Sequence, residues 1–284
     1  MRPGWTLHEM IVSLVVAGAI VALAASAAIG QLRFFRGVGE VSGLRVQLTQ
    51  GATIASNVLR DVGTREDIHL ALDSAIEVSP TIGSAITCAA DTGRIRVTRP
   101  AASGHTLASF MEEPRAGDAV HAFLPGSSAG WIRLTVAAAP VATPCARFPE
   151  STGWMVALAE PFVLSAGAPV RFTRRTRLSH YRASDGRWYL GLRDWNASLL
   201  RFNAIQPVAG PFAAHGPSAA TGVLFEYRDQ SGARLSPPVD PGRVALVAMT
   251  FRGETVRPAQ LPGMPAMSPP SHADSTSLSV AIRP

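Results

Sequence analysis

The stretch that decides the reading of this chain is Met1-Arg2-Pro3-Gly4-Trp5-Thr6-Leu7-His8-Glu9-Met10, followed by Ile11 to Ile29 (IVSLVVAGAIVALAASAAI) without one charged residue. About twenty apolar residues cross a bilayer as a helix at ~1.5 Å per residue. The flanks are not those of an ordinary export signal, which keeps its basic region against the apolar run and its cleavage site after it. Here an acid, Glu9, stands at the mouth of the run, five positions beyond Gly4. A carboxylate at the edge of hydrocarbon is costly and is seldom kept without a partner. Ala25-Ser26-Ala27 offers a small-x-small site that a signal peptidase accepts, but small residues equally let transmembrane helices approach closely. Charge does not set the orientation, since Arg2 precedes the span and Arg33 and Arg36 follow it.

Gly4, Thr6, Leu7 and Glu9, in register with a charge-free span, resemble the prepilin signal of type IV pilins and type II secretion pseudopilins. The resemblance implies a four-residue leader, cleavage between Gly4 and Trp5, methylation of the new N-terminus, and Glu9 as the fifth mature residue. Gly18 falls where many members carry a helix glycine. Trp5 and His8 depart from the usual aromatic and aliphatic residues at their positions. In a filament of such subunits, Glu9 would pair with the α-amine of Trp5 on a neighbour. Each charge is expensive alone in an apolar core and far less so when paired, so the pair acts as a register device. Thr6 and Leu7 belong to the same assembly segment. Presence of Glu9 argues against the K-type tip pseudopilins. At lower specificity, Arg174–Arg193, Gln206–Phe212 and Leu224–Asp229 resemble the distal region of PilW-type minor pilins and J-type pseudopilins. The partners implied are other minor and major pilins or pseudopilins, a prepilin peptidase and methylase, and an inner-membrane assembly platform, with the head on the exoplasmic, periplasmic side. The implied role is mechanical and non-enzymatic, in priming or tip assembly of a pilus or secretion pseudopilus, and calls for no cofactor.

Downstream, Leu32, Phe35, Val38, Val41, Leu44, Leu48, Ile54, Val58, Leu59 and Val62 recur mostly at three- and four-residue steps, as on one face of a helix. Gly37, Gly39, Gly43 and Gly51 weaken that helix and predict a bend or a melted segment. From about residue 75 the pattern turns to short alternating runs: Ala75–Val78, Arg94–Arg99, Ala119–Leu124, Trp131–Ala137, Trp154–Ala159, Val170–Leu178, Trp188–Arg193, Gly222–Tyr227 and Val244–Phe251. Asp91-Thr92-Gly93, Ser184-Asp185-Gly186 and Asp229 to Gly232 are turn signals between them. The expected fold is therefore α+β: a leader (1–4), a long helix with a transmembrane part (5–32) and an amphipathic continuation (33–62), a mostly antiparallel β head (63–256), and a Pro/Ser-rich tail (257–284). The tail reads as loosely ordered, with Leu278–Ile282 as an edge strand.

Composition constrains function by exclusion. Only 16% of the 284 residues are charged, Gly (25) and Pro (22) are abundant, and the net charge of +6 is carried by arginine, since the sequence has no lysine. A typical soluble domain is roughly 25% charged. Cys88 and Cys145 are read as a disulfide pair outside the cytoplasm, the alternative being two unrelated buried thiols; their spacing does not suit zinc. The seven histidines are scattered and supply no metal set. Gly126-Ser127-Ser128-Ala129-Gly130 matches G-x-S-x-G by letters, but a strand-like run follows where a nucleophile elbow needs a helix. The alternative reading is contact with nucleic acid or a surface through Arg171, Arg174, Arg175 and Arg177, with Tyr181 and Trp188 nearby. Against it stands a solvated strand face or an interface for an acidic partner. An anchored or secreted exoplasmic protein with an ordinary signal is the remaining alternative.

Overall fold

A computed structural model describes residues 6–99, 108–125, 130–145, 152–216, 221–255 and 272–283. The chain divides into two units, Met1–Gln47 with Gly253–Asp274, and Leu48–Arg252 with Ser275–Pro284. One long apolar N-terminal helix and a mostly antiparallel β region make it α+β.

The helix, α1, runs Leu7–Arg60, 54 residues, or about 81 Å at 1.5 Å per residue. It is continuous through Gly37, Gly39, Gly43 and Gly51, so the expected bend or melted segment is not there. Gly37, Val41, Leu44, Leu48, Gly51, Ala55 and Leu59 form its buried stripe, at four- and three-residue steps. Leu32, Phe35 and Val38, read as part of the same stripe, are exposed. Gly51 serves packing: a Cβ there would lie 2.8 Å from the Phe212 ring, 3.2 Å from Phe251 and 3.4 Å from the Ala209 methyl. The missing side chain is what lets the helix backbone reach the sheet.

That first sheet has the order β1 (Ile68–Ala71), β2 (Ala75–Val78), β11 (Thr176–Arg182), β12 (Trp188–Asn196) and β13 (Arg201–Phe202), with β14 (Gln206–Phe212) also on β12. Ala209 lies opposite Leu190 and Phe212 opposite Trp188. Side chains alternate across a strand, so the face under Gly51 also carries Ile76, Leu178 and Leu190, all fully buried. The second sheet runs β7 (Trp131–Thr135), β6 (Ala119–Phe123), β10 (Pro169–Thr173), β3 (Thr81–Asp91), β4 (Arg94–Thr98), β9 (Thr152–Ala157) and β8 (Val141–Pro144), with β5 (Ser109–Phe110) beside β3. Its ends meet. Val136 bridges Leu158, the Ala137 N–H donates to the Ala157 carbonyl at 2.8 Å, and the Ala159 N–H to the Thr135 carbonyl at 2.9 Å. The sheet is thus a small barrel filled by Ile95, Val97, Val120, Val156 and Phe172, with Phe110 edge-on to Trp154 at 4.8 Å. The third sheet is β16 (Arg234–Leu235), β15 (Val223–Arg228), β17 (Leu246–Glu254) and β18 (Ala273–Ala281). Phe225, Tyr227, Val247, Met249 and Phe251 are its inward row, and the Tyr227 hydroxyl donates to the Leu72 carbonyl at 2.7 Å.

Val170–Leu178, expected as one strand, is two: β10 in the barrel and β11 in the first sheet, parted at Arg174-Arg175. Its partner behaves alike, with β2 in the first sheet and β3 in the barrel, parted at Ser79-Pro80. The pairs Thr176↔Val78 and Thr173↔Thr81 flank the break, and the Arg174 N–H still donates to the Pro80 carbonyl at 3.2 Å. A single kinked ribbon therefore belongs to both sheets. Cys88 on β3 and Cys145 after β8 lie within bonding distance with Cα atoms 5.8 Å apart, as the pairing requires. The expected edge strand at the C-terminus forms as β18, and it begins at Ala273 rather than Leu278. Residues 256–271, most of the expected loose tail, lie outside the described residues.

Gly51→Val should destabilise the head by about 1–3 kcal/mol, because three packed groups must move to admit the branch. Thermal or denaturant unfolding of the two proteins checks this.

Candidate functional site

Of the sequence-predicted processing residues, Gly4 and Trp5 lie outside the described residues, with the rest of the leader. Thr6, Leu7 and Glu9 form the start of α1. The Thr6 N–H donates to Glu9 Oε2 at 2.9 Å, the Thr6 hydroxyl to the same oxygen at 3.0 Å, and the Glu9 N–H points back at Thr6 Oγ1 at 3.4 Å. This is a capping box, in which residues three apart satisfy one another's orphan groups at a helix start. The signature Thr-x-x-Glu before an apolar run is legible in the sequence and adds a second job for Glu9. Both bonds fall on Oε2, so Oε1 keeps its acceptor capacity. Leu7 is exposed, as are Met10, Ile11, Leu14, Val15 and the large apolar residues up to Leu32. The helix is apolar and long enough to cross a membrane, and no residue of its most apolar window is buried within the chain.

The arginine run is taken apart by the fold. Arg174 is 3% exposed, as befits a side chain at the kink between the two sheets. Its Nε and one terminal nitrogen donate to the two oxygens of Asp118 at 3.0 and 2.8 Å, the same nitrogen reaches the Glu113 carbonyl at 2.9 Å, and the other meets Glu112. Burial alone would lower the pKa of this guanidinium; its hydrogen bonds to Asp118 and the charge of that carboxylate raise it instead. Arg171 donates to Asp67 at 3.1 Å. Asp67, 3% exposed, also accepts from the Thr64 N–H at 3.1 Å, at the mouth of the short 3-10 turn Arg65–Asp67. Arg175 pairs with buried Glu77 and lies over the Trp195 ring at 4.8 Å. Each pair joins residues on different elements, so these cations work as internal fasteners. Arg177, by contrast, has no such acid among the described residues. A buried guanidinium is tolerable only when hydrogen-bonded and paired, and Arg174 meets both conditions.

Two histidines stand beside this junction and in the first sheet without stable charge. His121, 3.7 Å from Asp67, is pushed down to about 4 by burial, then by Arg171 and Arg133, with Asp67 opposing. His180 stacks on Trp188 at 4.9 Å and stands 6.0 Å from the His215 ring. Neither of its ring nitrogens makes a hydrogen bond of normal geometry. Burial and His215 push it to about 4, the Ala213 backbone weakly opposing. An open cleft of about 1060 Å³ near the junction is lined by Arg65, Arg171, His121, Trp131, Asp240 and Arg283 among others. It holds cations and acids in mixed order, and the ring of His121 there meets the Thr173 hydroxyl at 3.3 Å. The G-x-S-x-G stretch joins β6 to β7, paired from Phe123↔Trp131 onward, and residues 126–129 lie outside the described residues. A strand therefore follows the serines, which is not the strand–turn–helix of a nucleophile elbow.

No protein-family model matches the chain, and no curated protein matches it.

Asp118→Asn leaves the Arg174 charge buried with a neutral partner and should cost about 3–5 kcal/mol of head stability, read from denaturant midpoints. Acid should act through the histidines. Both hold folded pKa values of about 4 against roughly 6.5 unfolded, so the unfolded chain takes up protons first. Stability present above about pH 6.5 is therefore lost as the pH falls towards 4, by up to roughly 3 kcal/mol for each histidine. Melting temperatures measured from pH 7 to pH 4 should decline, and His180→Phe should flatten part of that decline.

Proposed function

We propose that this chain is a minor pilin or pseudopilin: a non-enzymatic subunit anchored in the inner membrane with an exoplasmic head, later incorporated in a type IV pilus or type II secretion pseudopilus. The observation that carries the reading is a single uninterrupted helix, Leu7–Arg60, opened by the Thr6–Glu9 box, apolar and exposed in its first half and packed at Gly51 on a β-sheet in its second. A plain anchor requires only the first half. A helix that passes without a break from an apolar span to a head-packed segment is a rod that neighbours can bundle. Apolar area of this extent must be covered by lipid or by other helices, and the reading assigns it first one and then the other.

Glu9 is consistent with both stages. In the free subunit, Oε2 closes the capping box, which relieves part of the cost of an acid at the membrane edge. In the filament, Oε1 is open to the α-amine of Trp5 on an adjacent subunit, so pairing need not break the cap. The alternative of an ordinary signal cleaved after Ala27 has less support, because residues 25–29 are mid-helix, whereas a peptidase draws its substrate in extended form. Cys88 and Cys145 at disulfide distance fit a head outside the cytoplasm. Partners on this reading are other pilins or pseudopilins, the prepilin peptidase and methylase, and the assembly platform. Nucleic-acid contact through the arginine run has less support, since Arg171, Arg174 and Arg175 are spent on acids of the chain itself.

Intact mass and N-terminal sequencing of the protein recovered from its native membrane test the proposal. A chain beginning at methylated Trp5 is the expected result; a start after Ala27, or at Met1, would overturn it. Thr6→Val should weaken the helix start by about 1 kcal/mol yet leave cleavage intact, a separation visible in the same mass spectrum.

A further inference from the structure

On the first sheet, β11 and β12 set Arg177 directly opposite Arg193. Their face is the one away from α1, because Leu178, one residue from Arg177, and Leu190, three from Arg193, are buried on the helix side with Ala209. Like charges directly opposite on adjacent strands repel. The natural remedy would be Glu77, which sits across from Arg177 on the other neighbour, β2. Its carboxylate, however, is taken by Arg175. Neither Arg177 nor Arg193 makes a hydrogen bond or ion pair from its guanidinium among the described residues, and the Nε of each is buried without a partner. Three guanidiniums thus share one acid. Electrostatics agree: burial and then Arg177 lower the pKa of Arg193, with Glu77 opposing.

Neighbouring rings hold Arg175 and Arg193 still. Arg175 lies over Trp195 at 4.8 Å and Phe202 at 5.8 Å, and Arg193 lies over Phe202 at 5.4 Å. Trp195 and Phe202 meet edge to face at 5.2 Å. Cation–π contact fixes a guanidinium without neutralising it, so the side chains are ordered while the charge stays available. An ordered planar fork loses little freedom when it takes a carboxylate in two parallel hydrogen bonds.

We propose that Arg177 and Arg193 form a docking site for an acidic side chain of a partner protein, with Arg175, Trp195 and Phe202 as its frame. An acidic protein fits better than a nucleic acid for two reasons on this face. Stacking of bases needs open aromatic faces, and here guanidiniums already lie over Trp195 and Phe202. A phosphate backbone needs a track of cations, and the sequence neighbours that would extend it, Arg171 and Arg174, are closed into ion pairs with Asp67, Asp118 and Glu112. What is left is a compact pair of open cations, which matches one carboxylate. A second copy of this chain, at net charge +6, is a poor electrostatic match. The inference does not depend on the filament reading.

The test uses the full chain in neutral detergent micelles and a fluorescently labelled hexaglutamate peptide, with anisotropy read at low and physiological salt. Binding should be salt-sensitive. Arg177→Gln and Arg193→Gln should each weaken it by about tenfold, the value of one charge-assisted bond, while Arg177→Lys recovers part of the loss and Arg94→Gln, on the barrel, changes nothing. Because each Gln variant removes a repulsion, its melting temperature should hold or rise, which separates a lost site from a lost fold. Equal affinities for Arg177→Gln and Arg94→Gln would overturn the proposal. So would tighter, Arg177-dependent binding of a single-stranded oligothymidylate of equal charge, which would assign the face to nucleic acid instead.

Discussion

The head depends on one kinked ribbon. A pair of antiparallel strands enters the first sheet as β2 and β11 and leaves it for the barrel as β3 and β10, bending at Ser79-Pro80 on one side and Arg174-Arg175 on the other. Such a bend breaks the ladder in the interior, where unpaired polar groups cost the most. Proline accounts for one side, since it has no N–H to lose. On the other side, the Arg174 N–H is still bonded to the Pro80 carbonyl, and its guanidinium fills the gap between sheets with bonds to Asp118, Glu112 and Glu113. Asp67 with Arg171 and Glu77 with Arg175 flank the same corner. A corner held by directed bonds has one angle, whereas one held by apolar contact alone could slide. The relative setting of barrel and first sheet is therefore specified by charge more than by hydrophobic area.

The same arrangement explains why an all-arginine cation set suits this head. A lysine at 174 would bring a point charge with three donors to a site that has acceptors in one plane around a fork. At 175 the ring of Trp195 takes the flat face of the guanidinium while its edge meets Glu77, a double use that an ammonium cannot make.

How far this was legible follows from where the partners lie. The charge-free span, its Glu9 and the box that Glu9 forms with Thr6 are all local features of the sequence. Strands with alternating β-branched or aromatic residues, such as Ala75–Val78 and Trp188 onward, could be read directly. The long β3 was missed because its residues, from Thr81 to Asp91, are mostly small, and β14 because Pro207 and Pro211 argue against a strand. The corner was invisible for a different reason: Arg174 finds Asp118 56 positions away and Arg171 finds Asp67 104 positions away, so four arginines within seven residues looked like one face. Gly51 was read as a weakness of the helix, when it is the point where two aromatic rings approach the backbone.

One helix in this chain has an exposed apolar first half and a second half packed on a sheet. A helix with this many glycines has little stability of its own in water. Its first half is apolar and long enough to cross a membrane, and in an apolar medium backbone groups must bond to one another. In the stretch from Leu48 onward the sheet does the same work, with Leu48, Ala55 and Leu59 buried and the Gln50 amide donating to the Val208 carbonyl at 3.2 Å. The glycines between, Gly39 and Gly43, meet nothing within 4 Å of where a Cβ would stand. Neither lipid nor sheet argues for them there. They are the positions at which a close-packed neighbouring helix would gain most from a bare backbone, and they lie just beyond the span that the membrane would cover.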